Sequence, residues 1–153
     1  MSHYFLDSSA LLKRYVVEPG SRWIRALTSP AVGHELFVAA IVRVEAVSAL
    51  ARRRREGRLS ALGARNLRLL IERQIGRCIV AEANDAVLQR ACDLLERHAL
   101  RAYDAVQLAS ALESNDRLQA RALAPITFVS ADQRLLAAAS AEGLAVEDPN
   151  LHT

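Results

Sequence analysis

The sequence is poor in several residue types, and each shortage excludes a class of protein. Among 153 residues there are two cysteines, six glycines, four prolines and one lysine. Cys78 and Cys92 form no CxxC pair and have no zinc-ligand spacing, so both are predicted to be buried, reduced thiols. The low glycine and proline content excludes a collagen-like chain and favours a helix-rich globular domain.

Long apolar stretches are also absent. No run approaches the roughly 20 residues that span a bilayer, and the N-terminus lacks the basic and apolar regions of a signal peptide. We therefore expect a cytoplasmic protein without a membrane anchor. A chain of 153 residues can bury one complete core, so residues 1–153 are interpreted as a single domain.

The charge is nearly balanced, with 20 basic residues, 17 acidic residues and a net charge of +3. Nineteen of the basic residues are arginine, the better bidentate partner for phosphate, although a genome rich in G+C produces the same bias. The densest run is Arg52–Arg55, with Arg58 close behind. Two interpretations stay open for this run: a solvated helix end, where cations suit the helix dipole, and a rim that contacts phosphates. We favour the first.

Short apolar runs alternate with longer helical patterns, and this alternation predicts the fold class. Five runs are interpreted as strands: Tyr4–Leu6, Leu36–Ala39, Cys78–Val80, Ile126–Val129 and Leu144–Val146. Two helices are predicted after each of the first three strands and one after the fourth, and the last helix before the fourth strand is predicted over residues 103–112. The order β-α-α-β-α-α-β-α-α-β-α-β predicts an α/β fold, a three-layer α/β/α sandwich around a central, mainly parallel sheet.

Four acidic residues lie where the apolar pattern would be expected to continue. They are Asp7, Glu45, Asp104 and Asp132. Asp7 and Asp132 follow predicted strands, and the carboxyl ends of parallel strands are where ligands bind in open α/β sheets. Glu45 shares its helix face with Ile41 and Ala49, so its carboxylate is carried on an apolar stripe. Asp104 begins a helix whose next residues on the same face are leucines.

Burying an ionised carboxylate without compensation costs several kcal/mol. Each acid has a structural explanation of its own, because Asp7, Asp104 and Asp132 could begin helices and Glu45 could pair with an arginine. Four such placements in one short domain favour a common role instead. If the four carboxylates converge, a hard divalent cation, Mg²⁺ or Mn²⁺, is their natural counter-charge.

The segments around these acids resemble the PIN-domain nucleases, and within them the VapC-type toxins of toxin–antitoxin modules. The similar segments are Tyr4–Lys13 with Glu18–Ser21, Val44–Leu50, Leu100–Ala109 and Phe128–Leu136. Successive acids are separated by 38, 59 and 28 residues. The order of the motifs, these spacings and the chain length together carry the resemblance, which extends over nearly the whole chain.

The resemblance implies a metal-dependent endoribonuclease, a hydrolase that cuts RNA phosphodiesters with a metal-activated water. The four acids would be both its metal ligands and its catalytic residues. Ser9 and Ser130 lie where the family often has a hydroxyl near the acids, so they are candidates to support the carboxylates. The family also implies Mg²⁺, with Mn²⁺ as an alternative, a cognate antitoxin protein as partner, and a homodimer.

A binding surface for the antitoxin is predicted on the first two helices, which carry more apolar side chains than a short helical pair needs. These side chains are Leu11, Leu12, Tyr15, Trp23, Ile24 and Leu27. We expect part of this surface to form a groove that accepts a helix of the partner.

Two other functions remain open for a chain with this resemblance: a housekeeping RNA-processing PIN nuclease, and a non-catalytic PIN-like module that binds RNA or protein. The short chain favours the toxin over the first, and the complete set of four acids argues against the second. Unrelated classes fit less well. An aspartyl phosphatase needs a second acid where Ser9 stands, a receiver domain needs a late lysine, and no P-loop or GxGxxG motif occurs.

Overall fold

Strands and helices follow one another in the order that the sequence predicts. The computed structural model describes residues 1–152, which form five strands, seven α-helices and two short 3-10 helices. The strands are β1 (His3–Leu6), β2 (Glu35–Ala39), β3 (Ile79–Ala81), β4 (Ile126–Val129) and β5 (Ala145–Glu147). The α-helices are α1 (Ser8–Leu12), α2 (Ser21–Leu27), α3 (Val42–Arg55), α4 (Ala61–Ile75), α5 (Asp85–Arg97), α6 (Ala102–Ala120) and α7 (Gln133–Ala141). The 3-10 helices are Pro30–Val32 and Pro149–Leu151.

The five strands form one sheet in the order β3-β2-β1-β4-β5, and every pair is parallel. β1 is the central strand, with Leu6 paired to Val129 of β4. The residues that follow β1 and β4 therefore emerge side by side at the carboxyl edge of the sheet. None of the helices within residues 1–152 is both long and apolar enough to cross a membrane.

Alternate residues of the central strands face opposite sides of the sheet, and each side is covered by helices. On one side Phe5 and Phe128 stack with their ring centroids 5.7 Å apart, packed with residues of α5, α6 and α7. On the other side Leu6, Val38 and Val129 pack with residues of α1, α2, α3 and α4. The two cores confirm the predicted three-layer α/β/α sandwich.

Helix α6 is longer than the sequence predicts, because it continues past Leu112 to Ala120. The added residues are mostly polar, so the apolar periodicity that marks a helix fades there. Tertiary contacts hold this part in place instead. Leu118 is buried, and Glu113 forms an ion pair of 2.9 Å with Arg90 of α5.

The expectation that both cysteines are buried is wrong. Cys92 is exposed because α5 turns the side of Val87, Ala91 and Leu94 toward the core, and Cys78, just before β3, is half-buried. The apolar residues predicted to bind a partner divide between the core and the surface. Leu11, Ile24 and Leu27 are core residues, at 0%, 0% and 8% exposed, whereas Leu12, Tyr15 and Trp23 are half-buried. Part of this apolar surface is therefore accessible.

Candidate active site

A cleft at the carboxyl edge of the sheet brings the four predicted acids together. All of them line one cavity of about 480 Å³: Asp7, Glu45, Asp104 and Asp132. Asp7 lies directly after β1 and Asp132 directly before α7, while Glu45 and Asp104 lie in the first turns of α3 and α6. Residues separated by up to 125 positions in the sequence therefore share one cavity.

Asp7 is the most buried of the four acids, with only 4% of its surface exposed. Its Oδ1 accepts hydrogen bonds from the Ser9 hydroxyl at 2.7 Å and from the Ala10 backbone N–H at 2.8 Å, so it also caps α1. Its Oδ2 accepts a hydrogen bond of 2.6 Å from the Ser130 hydroxyl. Burial raises the pKa of Asp7 to about 6, although these three hydrogen bonds oppose the rise, and the charge of Glu45 adds to it.

The two serines connect Asp7 to the loop between β4 and α7. The Ser9 hydroxyl accepts a hydrogen bond of 2.9 Å from the Ala131 N–H, and the Ser130 hydroxyl accepts one of 3.0 Å from the Asp132 N–H. Both serines therefore contact Asp7 on one side and the backbone near Asp132 on the other. This places both predicted hydroxyls where they fix the orientation of the Asp7 carboxylate.

Glu45 is held by two side chains from other elements. Its Oε2 accepts a hydrogen bond of 2.8 Å from the Ser8 hydroxyl, and its Oε1 accepts one of 2.7 Å from Nε2 of Gln107. Gln107 is a residue that sequence reasoning missed. It is 1% exposed, and its own Oε1 is buried and accepts no hydrogen bond from residues 1–152. The signal that could have revealed it is a long polar side chain on the apolar face of α6, three residues after Asp104.

Asp104 and Asp132 both line the cleft but have different local roles. Partial burial raises the pKa of Asp104, the charges of Asp132 and Glu45 raise it further, and Arg101 opposes the rise. Asp132 caps α7, because its Oδ1 accepts hydrogen bonds of 2.9 and 3.2 Å from the N–H groups of Arg134 and Leu135. Asp132 therefore caps α7 and lines the cleft at the same time.

The donor set of the cleft suits a hard divalent cation. Four carboxylates converge there, and neither histidine nor cysteine lines the cavity within the described residues, which matches the oxygen ligands of Mg²⁺ and Mn²⁺. As the side chains are placed, no three acidic, histidine or cysteine side chains within residues 1–152 are close enough to hold one ion together. Coordination by the four acids would therefore require their side chains to turn inward.

Comparisons with known proteins agree with this architecture. The model of the PIN domain family matches residues 4–141, whereas no curated protein matches the sequence. Among solved structures, PAE2754 from Pyrobaculum aerophilum is 21% identical, with a TM-score of 0.61, over 99% of this chain and 86% of that chain. VapBC2 from Rickettsia felis, bound to a promoter DNA fragment, is 13% identical, with a TM-score of 0.65, over 95% and 98%. A toxin–antitoxin complex from Klebsiella pneumoniae is 13% identical, with a TM-score of 0.57, over 95% and 97%.

Proposed function

The chain belongs to the PIN-domain family, and from that premise we propose that it is a metal-dependent endoribonuclease and the toxin of a toxin–antitoxin pair. PIN domains are generally nucleases. The observation that carries the proposal is the convergence of four carboxylates on one cavity at the carboxyl edge of the sheet. The structural likeness to toxin–antitoxin complexes supports the toxin role over a housekeeping nuclease.

In this proposal, Asp7, Glu45, Asp104 and Asp132 hold Mg²⁺ or Mn²⁺. When bound, the cation neutralises charge on the scissile phosphate and lowers the pKa of the water that attacks it. Hydrolysis forms a bond between the water oxygen and phosphorus and breaks the bond to O3′, which leaves a 5′-phosphate and a 3′-hydroxyl.

The residues around the acids orient them for this task. Ser9 and Ser130 occupy both oxygens of Asp7, and Ser8 and Gln107 occupy both oxygens of Glu45. Each of these two carboxylates is held from two sides, so the inward turn that coordination of one ion requires would exchange some of these hydrogen bonds for metal–oxygen contacts. Burial raises the pKa of Asp7 in the metal-free protein to about 6, so protons should compete with the cation for this carboxylate below that pH.

We further propose a cognate antitoxin and a homodimer, with the protein acting on RNA in the cytoplasm. Exposed side chains on one face of α5 offer apolar surface that a second copy could cover: Leu88 at 45%, Leu95 at 39%, and Cys92 between them. For the antitoxin, the surface that we propose is the one predicted from the sequence, of which Leu12, Tyr15 and Trp23 are partly exposed.

Metal dependence of cleavage tests the enzymatic part of the proposal. Purified protein should cut structured RNA in Mg²⁺ or Mn²⁺, and EDTA should stop the reaction, because the acids repel the substrate until their charge is neutralised. Adding excess Mg²⁺ back should restore cleavage. Cutting that continues undiminished in the chelator would contradict the proposal.

Growth of the host cell separates the toxin from a housekeeping nuclease. Expression of the protein alone should arrest growth, and co-expression of the partner should relieve the arrest. Metal-dependent RNA cleavage by a protein that is harmless at high levels would support the nuclease function and contradict the toxin role.

A further inference from the structure

A second, smaller cavity adjoins the acidic cleft. It has a volume of about 210 Å³ and lies between α1, the segment after α1, and the end of α3. Four residues line both cavities: Ser9, Leu12, Ala49 and Arg52. The cleft and the second cavity are therefore adjacent.

The second cavity is cationic, unlike the cleft beside it. Its charged lining consists of four cations and one carboxylate: Lys13, Arg52, Arg53, Arg58 and Glu18. Glu18 is shared, since Lys13 lies 3.2 Å from its Oε2 and Arg53 lies 2.6 Å from its Oε1. Arg58 is paired with Glu56, outside the cavity. The charges that line the cavity therefore sum to a positive value.

The cations next to Glu18 are fixed in place. Lys13 is only 4% exposed, and its ammonium also donates a hydrogen bond of 2.9 Å to the Pro19 carbonyl. A buried ammonium is costly unless it is paired and hydrogen-bonded, and here both partners are present. Lys13 and Arg53 therefore provide a rigid positive wall whose charge only one carboxylate offsets.

Arg52 differs from these cations because it has no partner. It is exposed, and within residues 1–152 it forms neither a salt bridge nor a side-chain hydrogen bond, whereas Arg53 next to it does. It is also the only cation that lines both the cleft and the second cavity in the described part of the chain, since Arg101 lines the cleft alone. Its guanidinium is free to bind an anion at the junction of the two spaces.

We propose that the second cavity is a phosphate-binding subsite that holds a backbone phosphate of the RNA, next in line to the phosphate in the acidic cleft. The inference rests on the proposed nuclease function and adds to it the means of placing the substrate. Four carboxylates repel a polyanion, so an adjacent cationic site both offsets that repulsion and sets the register of the strand. The Arg52–Arg55 run is thereby divided: Arg52 and Arg53 face the subsite, and Arg54 and Arg55 line a separate groove between α3 and α4.

The test compares Arg52→Gln with Arg55→Gln, a matched change three residues along the same helix. Arg52→Gln should raise the KM for a short single-stranded RNA by about 10-fold with kcat nearly unchanged. The number of ions released on RNA binding, measured from the dependence of the binding constant on salt concentration, should fall by about one. Arg55→Gln should leave both values close to those of the wild type. Arg52→Lys keeps the charge and should recover most of the affinity, and thermal melts of all variants should coincide.

An RNA in which single phosphates are replaced by uncharged methylphosphonates identifies the contact itself. For the wild type, neutralising one linkage beside the cleaved one should raise KM about 10-fold, and for Arg52→Gln the same substitution should have no further effect. The phosphate subsite would be contradicted if Arg52→Gln and Arg55→Gln raised KM equally. It would also be contradicted if the effect of Arg52→Gln on KM added to that of every methylphosphonate.

Binding measured with the Asp7→Asn variant keeps this test separate from catalysis. If no RNA is cut under any condition, the nuclease proposal fails, but anisotropy of a labelled RNA still reports whether Arg52 contributes to binding. If Arg52→Gln leaves RNA binding unchanged and weakens only the complex with an acidic protein partner, the cavity is a protein site and the phosphate subsite is wrong.

Discussion

Asp7→Asn should lower kcat/KM for metal-dependent RNA cleavage by about 1,000-fold or more, a loss of about 4 kcal/mol in transition-state stabilisation. Asp7 is the most deeply buried acid of the cleft, accepts hydrogen bonds from Ser9 and Ser130, and is close enough to Glu45 for the charge of that residue to raise its pKa. Asparagine keeps the shape of the side chain and an oxygen that can accept from Ser9 and Ala10, so the change removes the charge and the one hydrogen bond that Ser130 donates to Oδ2. The measurement is steady-state cleavage of a labelled RNA in Mg²⁺.

The control for this prediction is Asp93→Asn. Asp93 is an exposed acid on α5, away from the cleft, so its neutralisation should leave kcat/KM within about twofold of the wild type, as expected for a surface substitution. If Asp7→Asn retained wild-type cleavage while its melting temperature matched that of Asp93→Asn, Asp7 would have no role in catalysis.

The second large effect is on stability and comes from the same carboxylates. The pKa of Asp7 rises from 3.8 to about 6 on folding, mainly because of burial. Between these two values the folded protein binds more protons than the unfolded chain, so stability falls as pH rises. The contribution of protonated Asp7 is complete below about pH 4 and lost above about pH 6, and the shift corresponds to about 3 kcal/mol. Urea unfolding of metal-free protein from pH 4 to pH 8 should show this decline.

Asp104→Asn should therefore stabilise the metal-free protein at neutral pH, against the usual trend for point mutations. The pKa of Asp104 is raised by burial and by the charges of Asp132 and Glu45, and the substitution removes both costs. Mg²⁺ at a hundred times its dissociation constant should stabilise the wild type by about 2.7 kcal/mol. The variant should lose most of that gain. If the variant melts at a lower temperature than the wild type without metal, and Mg²⁺ stabilises it as much as it stabilises the wild type, the four acids do not act together.

The order of the secondary structure could be predicted from the sequence because the local signals are strong. The strand Ile126–Val129 consists of β-branched and aromatic residues, and the observed β4 has the same bounds. Ser60 and Asn84 are residue types that favour helix starts, and each side chain accepts a hydrogen bond from a backbone N–H in the first turn of its helix. Short-range chemistry of this kind does not depend on the rest of the fold.

Features that depend on contacts between distant segments could not be predicted. The C-terminal half of α6 is held by partners on other elements, and no periodicity marks it. Gln107 acquires its role only because Glu45, 62 residues earlier, reaches it. The apolar character of α1 and α2 is visible in the sequence. The sequence alone does not show that Leu11 and Ile24 are covered by the sheet and α3.

The central claim is that four acids form one metal site, and calorimetric titration of Mn²⁺ into the metal-free protein tests it without any knowledge of the RNA. The wild type should bind Mn²⁺, and each single neutralisation should weaken that binding 10-fold or more. A tenfold loss corresponds to about 1.4 kcal/mol of binding free energy. The four variants are Asp7→Asn, Glu45→Gln, Asp104→Asn and Asp132→Asn, with Asp93→Asn as a control that should bind like the wild type. Wild-type affinity in any two of the four variants would contradict a single site built from all four acids.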